Sequence, residues 1–384
     1  AVYYPNAAVR EVLERTLGVP IFQEQVIKLA MVAAGFSGGE ADALRRAMAA
    51  WKRQGGLSHF RDKLLRGMRE RGHDEAFAER LFAQIQGFGE YGFPESHAAS
   101  FAVLVYCSAW LKRHEPAAFY AGLLNSLPMG FYSADQILQD ARRHGLEIRP
   151  VDVQCSQWDY TLEPSPQSPG PRQRRPDPWH YDYASPQAAL RMGFRQIKGL
   201  QRNSIERLIQ ARDAEGPFKS LPELRRRAQL DAGTLRCLAQ GDALQALSGH
   251  RHQSHWARAA LLPTTPLLGD EGPRDAVSLR PPRLAESLRA DYENLSTTLR
   301  PHPLALLRSR PRFQKLPRAE DLRSLRNGRF LRLAGIVTGR QRPGTASGVL
   351  FLTLEDETGF INVIVWPRVL ERFRAAVLGA SLLY

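Results

Sequence analysis

The feature that most constrains the fold of this chain is a change of hydrophobic periodicity near residue 329. Before it, apolar residues recur at helical spacing in one segment after another, as in "IFQEQVIKLAMVAA" at 21–34, which Gly35 ends. After it, "RFLRLAGIVTGRQR", "GVLFLTLEDETG" and "FINVIVWP" alternate or are β-branched between glycine-containing turns, which is typical of strands. The pattern therefore predicts a multidomain, mainly α-helical protein with a C-terminal β module.

The β module has the element order of an OB fold. Three predicted strands precede the helix-like "RVLERFRAAVLG", and "SLLY" then begins as a further strand. An OB barrel is usually built from five strands, and the sequence stops before such a barrel closes. We therefore expect a partial OB barrel, in a chain that is a fragment of something longer.

Shifts in composition divide the chain into five predicted segments. The break between the first and the third is "TLEPSPQSPGPRQRRPDPWHYDYASP", which is rich in proline and arginine and has no period. The segments are a helical domain at 1–160, an exposed insertion or flexible linker at 161–186, a second helical domain at 187–260, a proline-broken connector at 261–328 and a truncated OB fold at 329–384.

The second helical domain contains a candidate phosphate-binding turn. In "LRMGFRQIKGLQRNSIERLIQAR", Lys198 and Gly199 lie between two apolar residues and two helical patterns, as in a helix-hairpin-helix. Such a turn exposes backbone N–H groups and points the N-terminus of the next helix at a phosphate, and Arg195 and Arg202 add positive charge. A weaker second copy is predicted to turn at Gly241. The alternative for both is an ordinary helical pair with a glycine turn.

An apolar run at 98–111 follows the turn "YGFPESH". The run is shorter than the roughly 20 residues that a membrane span needs, and Lys112 and Arg113 close it. We therefore expect a buried helix. Ser96 is the candidate N-cap and His97 the first helical residue, where free backbone donors favour an anionic ligand. The alternative is a capping turn with an incidental histidine.

Arginine is the dominant cation of the chain. The net charge is +14 at pH 7, and seven of the 53 basic residues are lysine. The planar guanidinium group suits phosphate, so the excess favours a polyanionic partner; a lineage-wide bias toward arginine is the alternative. Arg45 and Arg46, about 100° apart around a predicted helix, are candidate phosphate ligands or else a solvated helix edge.

Sequence signals for catalysis are few. The chain has no Asp-x-Asp pair, Walker loop, GxSxG or HExxH motif. Its three cysteines are far apart, which fits a reducing cytosol and neither disulfides nor zinc. The histidines of "GHRHQSHW" at 249–256 lack a further ligand nearby, so a solvated loop is favoured over a zinc site. We expect no metal site and a cytoplasmic protein.

Three long stretches resemble the fingers region of the bacterial C-family DNA polymerases, the alpha subunits of polymerase III: "GVPIFQEQVIKLAMVAAGFSGGEADALRRAMAAW", "GFGEYGFPESHAASFAVLVYCSAWLKRHEPAAFYAGLLNS" and "ILQDARRHGLEIRPVDVQCSQWDY". The order that follows is similar too: helix-hairpin-helix, "HPLALLR" at 302–308, then an OB fold. The resemblance covers nearly the whole chain apart from the insertion.

Within that family the chain is more similar to the error-prone, damage-associated branch. The replicative branch typically has asparagine and lysine where this sequence has Pro94 and Glu95. The stretch "RQRPGTASGVLFLTLEDETGFINVIVWP" also resembles the error-prone branch. A glutamate in place of a lysine near an incoming nucleotide would loosen the grip on its phosphates. The resemblance thus implies damage-induced mutagenesis and translesion synthesis.

The resemblance also implies roles for individual residues. It assigns Arg45 and Arg46 to the triphosphate of the incoming deoxynucleotide, and places Ser96 and His97 in the same part of the fingers. Duplex phosphates would be held at the hairpin by Lys198, Gly199 and Arg202, and the template strand would lie near Arg340 and Arg342. The implied partners are primer–template DNA and deoxynucleoside triphosphate, with a sliding clamp and mutagenesis accessory proteins as further candidates, and no membrane.

The metal-binding aspartates of the family belong to a palm domain, expected upstream of Ala1. Those carboxylates hold the two Mg²⁺ ions of phosphoryl transfer. We therefore expect the intact protein to be a Mg²⁺-dependent DNA-directed DNA polymerase, and this chain alone to bind no metal and to be inactive. The alternatives are a replicative polymerase III alpha subunit and a non-enzymatic DNA-binding scaffold of helix-hairpin-helix and OB modules.

Overall fold

The computed structural model of the chain describes residues 4–54, 58–88, 93–130, 132–165, 188–261, 277–344 and 346–384. The chain divides into two compact units, Ala1–Trp110 and Leu111–Tyr384. The division falls inside one long helix, Glu95–His114.

The first unit is helical. A 3₁₀ turn, Glu14–Thr16, follows the first of its helices, which are α1 Ala7–Leu13, α2 Gln23–Ala34, α3 Gly38–Gln54, α4 Ser58–Glu70, α5 Glu75–Phe88 and α6 Glu95–His114. Fully buried Leu29, Leu44, Leu64 and Ile85 lie in its core. The helix predicted at 21–34 is confirmed, and it ends because Gly35 adopts a left-handed φ of +71°.

The prediction that the apolar run at 98–111 forms a buried helix is half wrong. The run is helical, within α6, but every residue from 101 to 110 is exposed. An apolar sequence indicates that burial of the helix is favourable. It does not show which other part of the protein packs against that helix. Among the described residues, no helix has the length and apolar character that a bilayer crossing requires.

The second unit is also mainly helical. Short 3₁₀ turns occur at Phe194–Gln196 and Glu320–Ser324, and the α-helices are α7 Pro116–Asn125, α8 Ala134–Arg143, α9 Arg202–Glu215, α10 Leu221–Ala228, α11 Ala232–Gln240, α12 Gln245–Ser248, α13 Arg251–Ala259, α14 Leu284–Leu295, α15 Pro303–Leu307, α16 Pro311–Gln314, α17 Pro367–Arg372 and α18 Arg374–Gly379. Ser133 caps α8, and its side chain and that of Gln136 form a capping box. The connector expected at 261–328 thus contains three of these helices.

A small sheet joins parts of the chain that the sequence assigned to different domains. The central strand of this sheet is β3, Ala189–Arg191. It pairs in parallel with β1, Ile148–Arg149, and antiparallel with β2, Thr161–Glu163. A single hydrophobic cluster runs from α7 through this sheet to the following helices and includes Leu244 and, in α14, Leu295. The segment predicted as an insertion, 161–186, therefore begins inside a strand; its part from 166 onward lies outside the described residues.

The C-terminal part of the chain is the OB module that the sequence predicts. Antiparallel strands β4 Gly335–Gln341, β5 Leu350–Glu355, β6 Phe360–Val365 and β7 Leu382–Leu383 pair in the order β6-β5-β4-β7. Alternate residues of β5 face inward and pack with Leu370 and Val377 of α17 and α18. The helix predicted after β6 is divided into these two short helices at Phe373.

Candidate nucleic-acid interface

The first candidate site lies on α3. Asp42 accepts a hydrogen bond from Nε of Arg45 at 2.9 Å and pairs with Nε of Arg46 at 3.2 Å. Both arginines thus lean toward one carboxylate, although their backbone positions are about 100° apart. Their outer guanidinium nitrogens stay accessible, since Arg45 is half-exposed and Arg46 exposed. Asp42 was not identified from the sequence, although its i,i+3 and i,i+4 spacing is the signal for such pairs.

A second feature of this helix is an ion pair at its start. Lys63 of α4 binds Glu40, and the Lys63 hydrogen bond, followed by the backbone N–H of Ser37, lowers the pKa of Glu40 to about 2. Lys63 also lies 5.3 Å from the ring centroid of Phe36. These contacts fix the loop that leads into α3, and therefore the position from which Arg45 and Arg46 project.

The start of α6 differs from the sequence prediction. The helix begins at Glu95, so Ser96 is not its N-cap; the carboxylate of Glu24 instead accepts the backbone N–H of Glu95 at 3.0 Å. The Glu95 side chain pairs with Arg15 at 2.7 Å. Neither Glu24 nor Arg15 was predicted as a partner from the sequence, because the two residues are about 70 to 80 positions away from Glu95 along the chain. The positive end of α6 is thus already matched by an acidic group.

His97 is held between two aromatic rings. Its centroid lies 5.0 Å from that of Phe93 and 4.5 Å from that of Phe101, and both His97 and Ser96 are exposed. Within the described part of the chain, no hydrogen bond, ion pair or ring contact joins either residue to Arg45 or Arg46. Ser96 and His97 on the one hand, and Arg45 and Arg46 on the other, are therefore held in place by separate local contacts within the first unit.

In the second unit, the two predicted hairpin turns pack against each other. Gly199 has a left-handed φ of +81°, and a Cβ there would lie 3.3 Å from Sγ of Cys237 in α11. A Cβ on Gly241 would lie 2.6 Å from Cδ1 of Ile197. A side chain at position 241 would therefore overlap Ile197, whereas one at position 199 would be strained by the positive φ and would lie tightly against Cys237. The first hairpin is preceded by a 3₁₀ turn, Phe194–Gln196, and not by an α-helix.

The two basic side chains of the first hairpin, Lys198 and Arg202, have different partners. Nζ of Lys198 donates to the carbonyl oxygens of Glu293 at 2.8 Å and Tyr292 at 3.4 Å, near the end of α14. Arg202, at the start of α9, is exposed and pairs with Glu206 at 2.8 Å. The N-cap of α9, Gln201, makes no side-chain capping bond. The turn thus presents the uncapped, positive end of a helix together with one surface guanidinium group.

The OB module presents a mixed surface. Arg340 donates from Nε to the carbonyl of Val377 at 2.9 Å and also binds the carbonyl of Ala380, which ties β4 to the end of α18. Arg342, just after β4, is exposed. On the outward face of the sheet, exposed Phe351 and Ile364 are direct cross-strand partners, and exposed Trp366 follows β6. This apolar face was not predicted from the sequence, although the alternation in "VLFLTLE" is the signal for it.

The histidines at 250–255 lie in a structured region and not in a loop. His250 caps α13, accepting the N–H of Gln253 at its Nδ1 and donating from Nε2 to the carbonyl of Leu279 at 3.0 Å. His252 donates to the carbonyl of Arg280. Among the residues that the structure describes, no group of three or more histidine, cysteine or acidic side chains is arranged to hold a metal ion.

Three family matches cover separate parts of the chain. Residues 1–72 match the bacterial DNA polymerase III alpha subunit finger domain, residues 145–254 a helix-hairpin-helix motif, and residues 331–382 an OB-fold nucleic acid binding domain. The matches occur in the order that the sequence predicts. The helix-hairpin-helix match includes both packed turns.

Curated relatives align with the whole chain. Proteins named error-prone DNA polymerase from Pseudomonas paraeruginosa, Alkalilimnicola ehrlichii and Methylococcus capsulatus are 52%, 55% and 53% identical to it. Each alignment covers 100% of this chain and 36% of the relative. The chain thus spans about a third of the length of these proteins.

Proposed function

We propose that this chain, which aligns over its full length with bacterial proteins named error-prone DNA polymerase, supplies the nucleotide- and DNA-binding surfaces of such an enzyme. The observation that carries the proposal is homology along the entire chain, with the finger, helix-hairpin-helix and OB matches in order. The intact enzyme would be a DNA-directed DNA polymerase acting in damage-induced mutagenesis and translesion synthesis.

Incoming nucleotide would bind on the first unit. Arg45 and Arg46 have accessible guanidinium nitrogens and share one carboxylate, Asp42, so the group of three keeps a net positive charge for a triphosphate. His97, whose ring lies at tilted angles beside those of Phe93 and Phe101, offers a ring edge beside an exposed aromatic surface. Ser96 is exposed next to it and would add a hydroxyl donor.

DNA would bind on the second unit. At the hairpin, the amides around Gly199 and the N-terminus of α9 would hold a duplex phosphate, with Arg202 beside them. Lys198 would support this turn mainly by anchoring it to α14. On the OB module, Arg342 would contact a template-strand phosphate, while Phe351 and Trp366 offer faces on which bases stack. Arg340 would act by holding β4 in place.

Phosphoryl transfer would depend on residues outside this chain. Two Mg²⁺ ions clamp the attacking and leaving oxygens in such reactions and need several carboxylate ligands. The described residues do not fit that requirement, since they bring together no suitable acidic group. We assign the metal-binding aspartates to the part of the polymerase that this chain does not contain. A sliding clamp and mutagenesis accessory proteins would be further partners of the intact enzyme.

The two DNA surfaces can be tested separately by charge reversal in the purified chain. Arg202→Glu should weaken binding of a blunt duplex, and Arg342→Glu binding of a single strand, each lowering the salt slope by about 1. Arg10→Glu, an equal charge change at an exposed position of α1, is the matched control and should affect both ligands slightly. Equal losses for all three variants on both ligands would show non-specific attraction and overturn the assignment.

A further inference from the structure

The apolar segment of α6, residues 98–111, is exposed on all sides from residue 99 onward, and Ala98 is half-buried. Val103, Leu104, Val105 and Tyr106 are 62%, 59%, 63% and 72% exposed. Consecutive helical residues point about 100° apart, so these four side chains cover every direction around the axis. A monomeric protein seldom exposes a contiguous apolar surface of this kind unless it serves as a contact.

The chemistry of the segment restricts what can cover it. The sequence has no charged side chain from Ala98 to Leu111, so nothing there attracts nucleic-acid phosphates. A helix that is apolar all round belongs in a protein interior, and this segment is about 21 Å long at 1.5 Å per residue. The occupant must therefore be an apolar protein surface that encloses the helix.

A second copy of the chain does not meet this requirement well. Two helices that pack side by side bury one face each, because their ridges and grooves interdigitate along a single line of contact, and this would leave the opposite faces of α6 in water. An enclosing socket needs several elements around the helix. The homologous polymerases carry about two thirds of their length outside the part that this chain matches.

We propose that residues 98–111 of α6 are a docking element, inserted in an apolar socket on the part of the polymerase that this chain does not contain. The inference rests on the proposed function in one respect, namely that the chain works within a longer polymerase. Docking at α6 would hold the arginines of α3 and His97 in one rigid assembly with the residues that bind metal.

Cys107 reports directly on this helix. It is exposed, and Cys155 and Cys237 are less so. In the purified chain, Cys107 should react with N-ethylmaleimide at the rate of an accessible thiol. In the intact polymerase it should react at least about tenfold more slowly, because an enclosed thiol reacts only after local opening. Peptide mass spectrometry after timed quenching gives both rates. Glu70→Cys, at an exposed position of α4, is the matched control and should react equally in both proteins.

Three results would overturn the proposal. Equal Cys107 rates in the two proteins would show that nothing covers α6. Protection in the chain alone at all concentrations would mean that the chain's own residues cover it. Protection that increases with chain concentration would indicate a second copy. Neither nucleotide nor DNA is present, so the outcome is separate from whether the chain binds DNA.

A substitution gives an independent readout. Val105→Asp should leave the melting temperature of the chain unchanged, because its side chain is exposed there. In the intact polymerase the same change would bury a carboxylate without a partner and should lower the melting temperature by several degrees. An equal effect in both proteins, or none in either, would contradict the docking role.

Discussion

Arg308 binds Glu357 across the junction between the connector and the OB module, with Nε donating to Oε1 at 2.7 Å. The same guanidinium group reaches Asp356 at 3.3 Å and the carbonyl of Leu316 at 2.9 Å. Arg308 closes the stretch "HPLALLR", and Glu357 lies in the turn between β5 and β6. The stretch that the family resemblance singled out thus anchors the OB module to the helical part of its unit.

Arg308→Ala should lower the free energy of unfolding of the OB module by about 3 kcal/mol, because it removes the cation that contacts buried Asp356 and leaves half-buried Glu357 with Arg318 alone. Arg318→Ala is the control: Arg318 also pairs with Glu357, at 3.3 Å, but is exposed, so its loss should cost less than about 1 kcal/mol. Urea unfolding of both variants measures the difference. Similar small losses would mean that Arg308 does not anchor the module.

Glu355 should make stability depend on pH. Burial, and then the nearby Asp135 carboxylate, raise its pKa to about 7, although Arg143, 3.7 Å away, opposes the shift. A carboxyl whose pKa is higher in the folded state favours folding when protonated. Its contribution is therefore fully present below about pH 4.5 and is lost as the pH rises to about 7.

Glu355→Gln removes this titration. Relative to the unchanged chain, the variant should gain roughly 1 to 3 kcal/mol of stability between pH 5 and pH 8. Urea unfolding at the two pH values measures the gain. Glu371→Gln, at an exposed position of α17, is the control and shows how much removal of one surface carboxylate changes the stability at each pH. A stability difference that does not change with pH would show that Glu355 is ionised at both.

Gly241→Ala should destabilise the packed hairpins. The added methyl group would overlap buried Ile197 and should cost about 1 to 3 kcal/mol, together with affinity for duplex DNA. Gly122→Ala is the matched control, because Gly122 is exposed in α7 with nothing near its Cβ position; it should stabilise by about 0.5 to 1 kcal/mol. Effects of the same sign in thermal unfolding would contradict the close approach of the two turns.

Glu95→Lys should reduce misincorporation by the intact polymerase. Glu95 neutralises Arg15 at 2.7 Å, so the substitution replaces an ion pair by two cations that can attract nucleotide phosphates. Glu95→Gln, which frees Arg15 without adding charge, should give a smaller effect. Sequencing the products of a defined template measures the error rate, and unchanged fidelity in both variants would refute this role.

The sequence predicted those features that are determined locally. The β strands of the OB module alternate inward Leu350 and Leu352 with outward Phe351, and Gly199 sits in a turn that needs its positive φ. Features that depend on distant residues were missed. Glu24, 71 residues away along the chain, caps the start of α6, where Ser96 was the expected N-cap. The exposure of α6 was unpredictable for the same reason, because periodicity does not reveal what surrounds a helix.

The most direct test of the central claim uses the purified chain with a labelled primer–template, Mg²⁺ and all four deoxynucleotides. Binding and extension are read from the same samples at increasing salt. We expect the chain to bind the DNA, to lose roughly tenfold or more in affinity between about 50 and 200 mM salt, and to extend no primer. Primer extension by the chain alone, or an absence of DNA binding at low salt, would contradict the account.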